Sequence, residues 1–560
     1  MAGFNINPVR RILRLLQYER KDIGAIYFYA IFNGMVQLSL PLGIQSIISF
    51  VMGGAFSTSL VLLISMVVIG VFVNGLLQVN QMKIIEKIQQ QLFVRYSFLY
   101  THTIPKLNLR SIDDHYLPEL VNRFFDIVSL QKGLSKLLLD IPAATIQILF
   151  GLLLLSFYHP IFIFFSLTLI FIVYGILYFT GSRGMESSIE ESNYKYEVAG
   201  WLQEMSRVVN TVKFNRGSFF HLRRADEGVS GYLNARTRHF RILLFQYWSL
   251  VVFKIVITAT MLIVGSFLLI EQQLNIGQFI AAEIVIISVL SAVEKLIGNL
   301  DMVYDVMTSV EKLAKVTEKP IEKSGVILPK GTRGMELTVS GLNFGYEDSG
   351  TVLENISFEA RSGSKICING KLGSGKSTLL RVLTGAYAPY TGIITVDGIP
   401  LNQYDLDALR SQTGIVMENQ DLFKGTLWEN LTFNNPELDQ KEVLRLSDAI
   451  GLGDFIRQHP DGMGMPIDPM GKRLPMRVVK KIMLVRALCH KPRLLLMEEP
   501  WTGLEEDNAE KVKKILLNEC RDATLIIVTD DAGFAAQCDQ VIYLEDGSVS
   551  ARSKNQDGRN

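Results

Sequence analysis

The sequence is poor in cysteine. Only four occur in 560 residues, Cys367, Cys489, Cys520 and Cys538, and no two of them form a Cys-x-x-Cys pair. This pattern argues against a disulfide framework and against a zinc site, and it indicates a reducing compartment for the second half of the chain. The N-terminus lacks a short apolar segment followed by a small-residue cleavage site, so no cleaved signal peptide is expected.

Net charge is almost absent as well, at +1, so we expect no nucleic-acid partner. This balance hides a division. Residues 1–323 carry 29 Lys/Arg and 23 Asp/Glu, whereas residues 324–560 carry 27 and 32. Apolar residues make up 48% of the chain and crowd into the first 300 positions, which excludes a disordered protein. The composition predicts a membrane-embedded half followed by a soluble half.

Six apolar stretches are each close to the roughly 20 residues that cross a bilayer as a helix. They are Ile26–Phe50, Leu60–Val79, Leu137–Phe157, Ile161–Thr180, Trp248–Ile270 and Phe279–Ile297. Six stretches of spanning length favour membrane helices over buried helices of a soluble protein. We therefore predict a domain with six membrane spans.

The short connections 52–59, 158–160 and 271–277 lack Lys and Arg altogether, whereas the connections 81–136 and 182–241 contain eight and ten. The positive-inside rule then places both termini and both long connections in the cytoplasm. The long connections are rich in helix formers, so we expect helical hairpins that extend the flanking spans into the cytosol. The basic, apolar segment that begins at Pro8 predicts a short helix on the inner membrane surface.

The charged residues that fall within predicted spans include Lys254 and Glu283. Intramembrane charges are costly and usually face a cavity or a partner, so both are candidates for lining a transport pathway. The alternatives are that Lys254 extends to the inner interface and that Glu283 pairs inside the domain.

The soluble half contains a glycine-rich loop between a short strand, Ser364–Asn369, and a helical segment, Leu379–Leu383. The loop matches Gly-x-x-x-x-Gly-Lys-[Ser/Thr] in the required strand–loop–helix context, which predicts nucleotide binding. Lys376 is expected to reach the β- and γ-phosphates and Ser377 to bind Mg²⁺. The expected nucleotide contacts of the loop are Gly370, Gly373, Ser374, Gly375, Lys376, Ser377 and Thr378.

A second motif lies further along, where the apolar segment 493–497 ends in Glu498 and Glu499. Carboxylates at the end of a buried strand beside a phosphate-binding loop are placed for Mg²⁺ and for the attacking water. The alternative is a plain buried strand that ends in solvated acids.

With these motifs the chain resembles the ATP-binding-cassette (ABC) exporters over nearly its whole length. The resemblance implies a membrane all-α six-helix exporter domain followed by an α/β P-loop nucleotide-binding domain, with ATP and Mg²⁺ as cofactors. Tyr346 matches the family's aromatic residue that stacks on adenine, and Glu499 matches its water-activating glutamate. The span spacing and Asp140-Ile-Pro142 are most similar to the branch that exports peptides and proteins in bacteria.

The chain departs from the family at several positions. The signature Leu-Ser-Gly-Gly-Gln, which grips the γ-phosphate held by the other cassette, reads Leu474-Pro475-Met476-Arg477-Val478 here. Proline has no N–H, and Met476 and Arg477 place side chains where backbone must come close. The remaining departures are Glu418 for the Mg²⁺-sensing glutamine, with Gln420 nearby, Glu498 for an aspartate, and Asp530 for the switch histidine. Arg477 and Lys480 either supply positive charge to the partner's phosphate or are solvated surface residues.

We therefore expect an ATP-dependent exporter half in a bacterial inner membrane, with hydrolysis impaired or dependent on its partner. One expected partner is a second half-transporter, which forms either a homodimer or a heterodimer with this chain. The other is a transported substrate, for which peptides and proteins are the candidate classes. The alternative is a catalytically weak pseudo-transporter that acts as a regulatory or assembly subunit. The expected domains are an elbow helix over 1–25, a transmembrane domain over 26–317, a linker over 318–334 and a cassette over 335–560.

Overall fold

The computed structural model describes residues 8–52, 58–112, 117–215, 219–346, 350–418 and 420–554. The chain forms two compact units. Unit 1 comprises Met1–Pro105 and Asp114–Lys319, and unit 2 comprises Lys106–Asp113 and Pro320–Asn560. The boundary between the units at Lys319 falls inside the segment expected as a linker.

The described part of unit 1 is helical. Its α-helices are α1 Pro8–Gln17, α2 Arg20–Gln37, α3 Ser39–Met52, α4 Thr58–Thr103, α5 Leu117–Asn122, α6 Asp126–Ser135, α7 Ile141–Tyr158, α8 Ile161–Arg207, α9 Val209–Phe214, α10 Phe220–Ile270, α11 Ile276–Gly298 and α12 Leu300–Thr317. Six helical segments are long and apolar enough to cross a membrane, which confirms the six predicted spans. Helices α4, α8 and α10 have 46, 47 and 51 residues, so each is about 70 Å or more in length at 1.5 Å per residue. They extend well beyond the roughly 30 Å of a bilayer core.

The first and third spans differ in detail from the predicted stretches. The first contains two helices, α2 and α3, which meet at Leu38. Pro41 explains the break, because its ring has no N–H to donate and would clash with the carbonyl of residue 37 in a continuous helix. In the third span, Lys136–Asp140 forms a single π-helical turn before α7 begins.

Unit 2 is an α/β domain. Its strands are β1 Leu337–Tyr346, β2 Gly350–Ala360, β3 Lys365–Gly370, β4 Thr391–Val396, β5 Ile399–Pro400, β6 Thr413–Val416, β7 Gly425–Thr426, β8 Pro466–Ile467, β9 Leu494–Glu498, β10 Thr524–Val528, β11 Gln540–Glu545 and β12 Ser548–Lys554. Its helices are α13 Lys376–Leu383, α14 Leu406–Ser411, α15 Leu427–Thr432, α16 Gln440–Ile450, α17 Gly453–Gln458, α18 Met476–Leu488, α19 Glu506–Lys514 and α20 Ala532–Ala535. This succession of strands and helices agrees with the fold class predicted for the second half.

The larger sheet of unit 2 has the strand order β12-β11-β3-β10-β9-β6. Strands β11, β3, β10, β9 and β6 are parallel, and only β12 pairs antiparallel. The carboxyl ends of parallel strands meet at one edge of a sheet, which is where α/β proteins bind ligands. Five loops therefore begin at the same edge, after Gly370, Val416, Glu498, Val528 and Glu545. A separate antiparallel sheet has the order β2-β1-β4-β5.

A short piece of the first long connection belongs to unit 2. Leu107 is 1% exposed and forms an antiparallel bridge with Ile321. The side-chain amide of Asn108 donates to the carbonyl oxygen of Ala388 over 3.0 Å, and Arg110 donates to that of Pro389 over 3.1 Å. The segment is thus held by specific hydrogen bonds rather than by chain connectivity alone.

The four cysteines, all in unit 2, carry free thiols. Cys367, Cys489 and Cys538 are buried, and Cys520 is partly buried. Burial raises the pKa of the first three thiols to about 12 and that of Cys520 to about 11. Structural thiols of this kind are chemically inert, as expected for cysteines that form neither disulfides nor a metal site.

Candidate nucleotide-binding site

The loop between β3 and α13 has the backbone of a phosphate cradle. Gly375 is the N-cap of α13 and has φ +94°, a conformation that a side chain makes costly. A Cβ on Gly370 would lie 2.2 Å from the carbonyl oxygen of Leu544. Both positions therefore require glycine, and the loop ends at the N-terminus of α13, where backbone N–H groups and the helix dipole favour an anion.

Two polar side chains of the loop, those of Lys376 and Ser374, support its assignment as a binding site in different ways. The ammonium of Lys376 donates to the carbonyl oxygens of Gly370 and of Lys371, the latter over 3.0 Å. Ser374 is 4% exposed, and its hydroxyl has no hydrogen-bond partner among the described residues. A buried hydroxyl without a partner is expensive unless a ligand supplies one. Ser374 therefore supports the assignment of the loop as a binding site.

A direct hydrogen bond joins the first turn of α13 to Glu498, the acidic residue at the end of β9. The Ser377 hydroxyl, on the first turn of α13, donates to Glu498 Oε1. Glu498 ends β9 and is 8% exposed. A hydroxyl and a carboxylate at this spacing are the hard oxygen ligands that Mg²⁺ prefers. The structure therefore brings together the two residues that were predicted to hold the metal.

Glu499 follows β9 with its backbone at φ +41°, an uncommon conformation for a side-chain-bearing residue. Its carboxylate accepts hydrogen bonds from Thr502 Oγ1 at 2.8 Å, from the Asp530 backbone N–H at 3.1 Å and from Thr529 Oγ1 at 3.4 Å. Strained backbone conformations of this kind cluster at functional sites, where the surroundings enforce them. Three donors from two loops hold this carboxylate in place.

Two further acidic residues that depart from the family's motifs, Glu418 and Asp530, lie at the same edge of the larger sheet. Asp530 follows β10, and Glu418 follows β6, where its backbone N–H lies 3.4 Å from Glu498 Oε2. Gln420 also lines the cavity, and its side-chain oxygen accepts from the Met417 N–H at 3.4 Å. Both Glu418 and Asp530 are exposed side chains, placed where a ligand on the loop would meet them.

These residues surround one cavity of about 960 Å³. It is lined by the loop residues Gly373–Thr378, by the acids Glu418, Asp421, Glu498, Glu499 and Asp530, and by Lys472, Met476 and Lys480. Tyr346 approaches α13 from another side. Its hydroxyl lies 3.3 Å from Thr378 Oγ1, and its ring packs edge-on against Phe344 and Tyr387. Its role in stacking on adenine stays a prediction.

The altered signature segment forms the start of α18. Pro475 is the N-cap, and Met476 and Arg477 are the first two helical residues. Met476 is 79% exposed, whereas Val478 is 7% exposed and belongs to the core of unit 2. The Arg477 side chain lies 3.3 Å from Glu505 Oε1. The helix start therefore presents a methionine and an arginine, and one of its N–H donors is replaced by the ring of proline.

Lys480, one turn further along α18, is not the solvated surface residue that the sequence allowed. It is partly buried, and its ammonium lies 3.5 Å from the backbone oxygen of Glu498. Burial lowers the pKa of this ammonium, while the charges of Glu498, Glu499 and Glu418 oppose that shift. The sequence did not identify Lys480 as a residue of its own chain's site. A position along a helix does not reveal which side of α18 faces the cavity.

The two candidate pathway residues of unit 1, Lys254 and Glu283, have different surroundings. Lys254 on α10 forms an ion pair with Glu294 on α11. Its place in a transport pathway or at the inner membrane interface stays a prediction. On α11, Glu283 Oε2 is buried and makes no hydrogen bond with the described residues. Its place in a transport pathway stays a prediction.

The comparisons with known proteins agree with this architecture. A family model described as "ABC transporter transmembrane region" matches residues 23–293, and one described as "ABC transporter" matches residues 353–502. The chain is similar to the alpha-hemolysin translocation ATP-binding protein HlyB of Escherichia coli O157:H7, with 28% identity over 357 residues, 63% of this chain and 50% of HlyB. It is also similar to the leukotoxin export ATP-binding protein LtxB of Aggregatibacter actinomycetemcomitans, with 28% identity over 52% of this chain and 42% of LtxB. The chain thus spans about half the length of these relatives.

A solved structure of a bacterial Atm1-family ABC exporter with ATP bound superimposes with a TM-score of 0.80. The alignment covers 96% of this chain and 95% of the exporter, at 18% identity. That likeness concerns the fold, and it extends over both units. The chain is a multi-pass membrane protein, and with a transmembrane region and a nucleotide-binding domain both matched, it belongs to the ABC transporter family.

Proposed function

We propose that the chain is one half of an ATP-dependent exporter, that it binds MgATP through the loop 370–378, and that it hydrolyses ATP slowly by itself. The observation that carries the proposal is the convergence of the loop, Ser377, Glu498 and Glu499 on one cavity, beside a helix start that lacks the family's signature. Binding and hydrolysis depend on different parts of this arrangement.

The residues that would hold a nucleotide fit the task. The backbone of the loop and Lys376 would bind the phosphates, and Ser377 and Glu498 would hold the metal. Mg²⁺, where bound, neutralises phosphate charge. Glu499 would orient and deprotonate the attacking water, since its carboxylate is fixed by Thr502, Thr529 and the Asp530 N–H.

Hydrolysis lacks two of its usual supports. Asp530 offers a carboxylate where the family has a histidine donor, and Pro475–Val478 would meet the partner's nucleotide without the serine and glycine backbone donors. Removal of one preorganised donor typically costs about 10²–10³ in rate. In a homodimer both sites would lack both elements. In a heterodimer with an intact partner each site would lack only one.

The transported substrate is proposed as a peptide or a protein, because the relatives HlyB and LtxB are named for hemolysin translocation and leukotoxin export. The proposed location is a bacterial inner membrane, with both termini and the cassette in the cytosol, as the distribution of Lys and Arg over the connections indicates. A second half-transporter completes the assembly, because one cassette alone cannot supply both faces of the family's interfacial site.

The second candidate function, a regulatory or assembly subunit, is favoured by one observation. Pro475, Met476, Arg477 and Val478 change four consecutive positions of the signature, and Asp530 changes the switch residue as well. This subunit would bind ATP without using it for transport.

The purified full chain in lipid nanodiscs is the test system. We expect saturable ATP binding and turnover well below the 1–10³ s⁻¹ typical of enzymes, reduced further by Glu499→Gln. Robust turnover by the unmodified homodimer, abolished by Glu499→Gln, would refute the proposed slow hydrolysis. ATP-driven uptake of a peptide library into inside-out vesicles separates the two candidate functions, since the regulatory subunit supports none.

A further inference from the structure

Lys480 lines the same cavity as the phosphate-binding loop and brings an ammonium group to it. It lies on the second turn of α18, and its nearest polar contact is the backbone oxygen of Glu498 at 3.5 Å. An ammonium has three donors, and this contact occupies one of them. The others are available to a ligand in the cavity.

The residues that line the cavity explain why a positive charge is needed there. Among its described residues the cavity has five carboxylates, those of Glu418, Asp421, Glu498, Glu499 and Asp530, and only three lysines. Lys376 donates to two carbonyl oxygens of the loop and so keeps one of its three donors for a phosphate, and Lys472 is exposed. A nucleoside triphosphate without metal would add several negative charges to an acidic cavity, where low dielectric strengthens repulsion.

We propose that Lys480 is a built-in counter-ion which allows the site to hold ATP with a reduced requirement for a divalent cation. The inference rests on the proposed function, namely that this cavity binds ATP. Lys480 stands on the acidic side of the cavity, next to Glu498, which would hold the metal. A metal ion there is acquired from solution, whereas the Lys480 ammonium belongs to the chain and carries half the charge of a divalent cation.

The experiment measures the dissociation constant of ATP for the full chain in nanodiscs, once with excess Mg²⁺ and once with EDTA. In Lys480→Gln we expect binding in EDTA to weaken about 10- to 100-fold, the range for losing a hydrogen-bonding charge. Binding in Mg²⁺ should change by less than about 3-fold, because the metal then supplies the positive charge. The ratio of the dissociation constant in EDTA to the dissociation constant in Mg²⁺ therefore rises. Lys480→Arg, which keeps the charge, should keep the ratio near that of the wild type.

Arg473→Gln is the matched control. It removes the same charge from the segment just before α18, but its guanidinium is exposed and pairs with Asp468. We expect an unchanged ratio for this variant, since Arg473 does not line the cavity.

An unchanged ratio in Lys480→Gln would overturn the inference, and so would an equal loss of binding in both buffers, which is the result of a merely structural role. If thermal melting shows that Lys480→Gln does not fold, the same two measurements of ATP binding on Glu418→Gln test the inference. Removal of this opposing carboxylate should strengthen binding in EDTA and lower the ratio, and an unchanged ratio would again overturn the inference. Failure of the wild type to bind ATP even with Mg²⁺ would refute the proposed function instead.

Discussion

Lys376→Ala is the most direct test of the nucleotide site. The Lys376 ammonium is held at the mouth of the loop by the carbonyl oxygens of Gly370 and Lys371, so little ordering is needed for it to meet a phosphate. A hydrogen bond to a charged group contributes about 1.5–3 kcal/mol. At 1.4 kcal/mol per factor of ten, the variant should bind MgATP about 10- to 100-fold more weakly.

Lys371→Ala is the matched control for this prediction. It removes a lysine from the same loop, but that side chain is 84% exposed and pairs with Glu545 at 2.9 Å. Exposed pairs contribute little, so ATP affinity should change by about 2-fold or less. The assay is equilibrium binding of a fluorescent ATP analogue, competed with ATP, to the full chain in nanodiscs. Equal affinity of the wild type and Lys376→Ala, or an equal loss in both variants, would show that the loop does not bind phosphate as described.

Three further predictions follow from the remaining features of the molecule. Restoring Leu-Ser-Gly-Gly-Gln at 474–478 should raise ATP turnover only in part, and adding Asp530→His should raise it further, because each change returns a separate donor to the γ-phosphate; full activity after the first change alone would contradict this. A cysteine at position 283 should react with a water-soluble maleimide in at least one nucleotide state, since a carboxylate in a span usually faces a polar cavity, and protection in every state would count against the pathway. The free energy of unfolding of unit 2 should fall as the pH rises from 9 toward 12, because the raised pKa of the three most buried thiols keeps them protonated only in the folded chain; alanine variants of these cysteines should lose less stability over that range, as followed by melting temperature, and an identical loss would refute the assignment.

The six spans and the phosphate-binding loop could be predicted because their signals are local. Twenty apolar residues must be helical in a bilayer, since every backbone polar group has to be satisfied internally. The loop also needs glycine where φ is positive, as at Gly375, so the motif encodes its own geometry. The acids after β9 were predicted for a similar reason, because a strand that ends in two carboxylates is visible in the sequence.

The features that were missed depend on tertiary packing. No local pattern marks Leu107 as a residue of unit 2, because its burial comes from Ile321 and its neighbours, more than 200 positions away. The direction of Lys480 depends on the rotation of α18, which is fixed by the burial of Val478 and the following core residues. The sequence allowed that lysine to be solvated, and only the packed helix places it beside Glu498.

The buried thiols make the unmodified chain a ready host for site-directed probes. A thiol with a pKa of about 12 has a thiolate fraction near 10⁻⁵ at pH 7, and the thiolate is the form that reacts with maleimides and methanethiosulfonates. A cysteine introduced on a solvated helix face would outcompete all four native ones by orders of magnitude. Spin labels or fluorophore pairs can therefore be placed on α8, α10 or α18 without first replacing the natural cysteines, and conformational changes of the chain can be followed in the native sequence background.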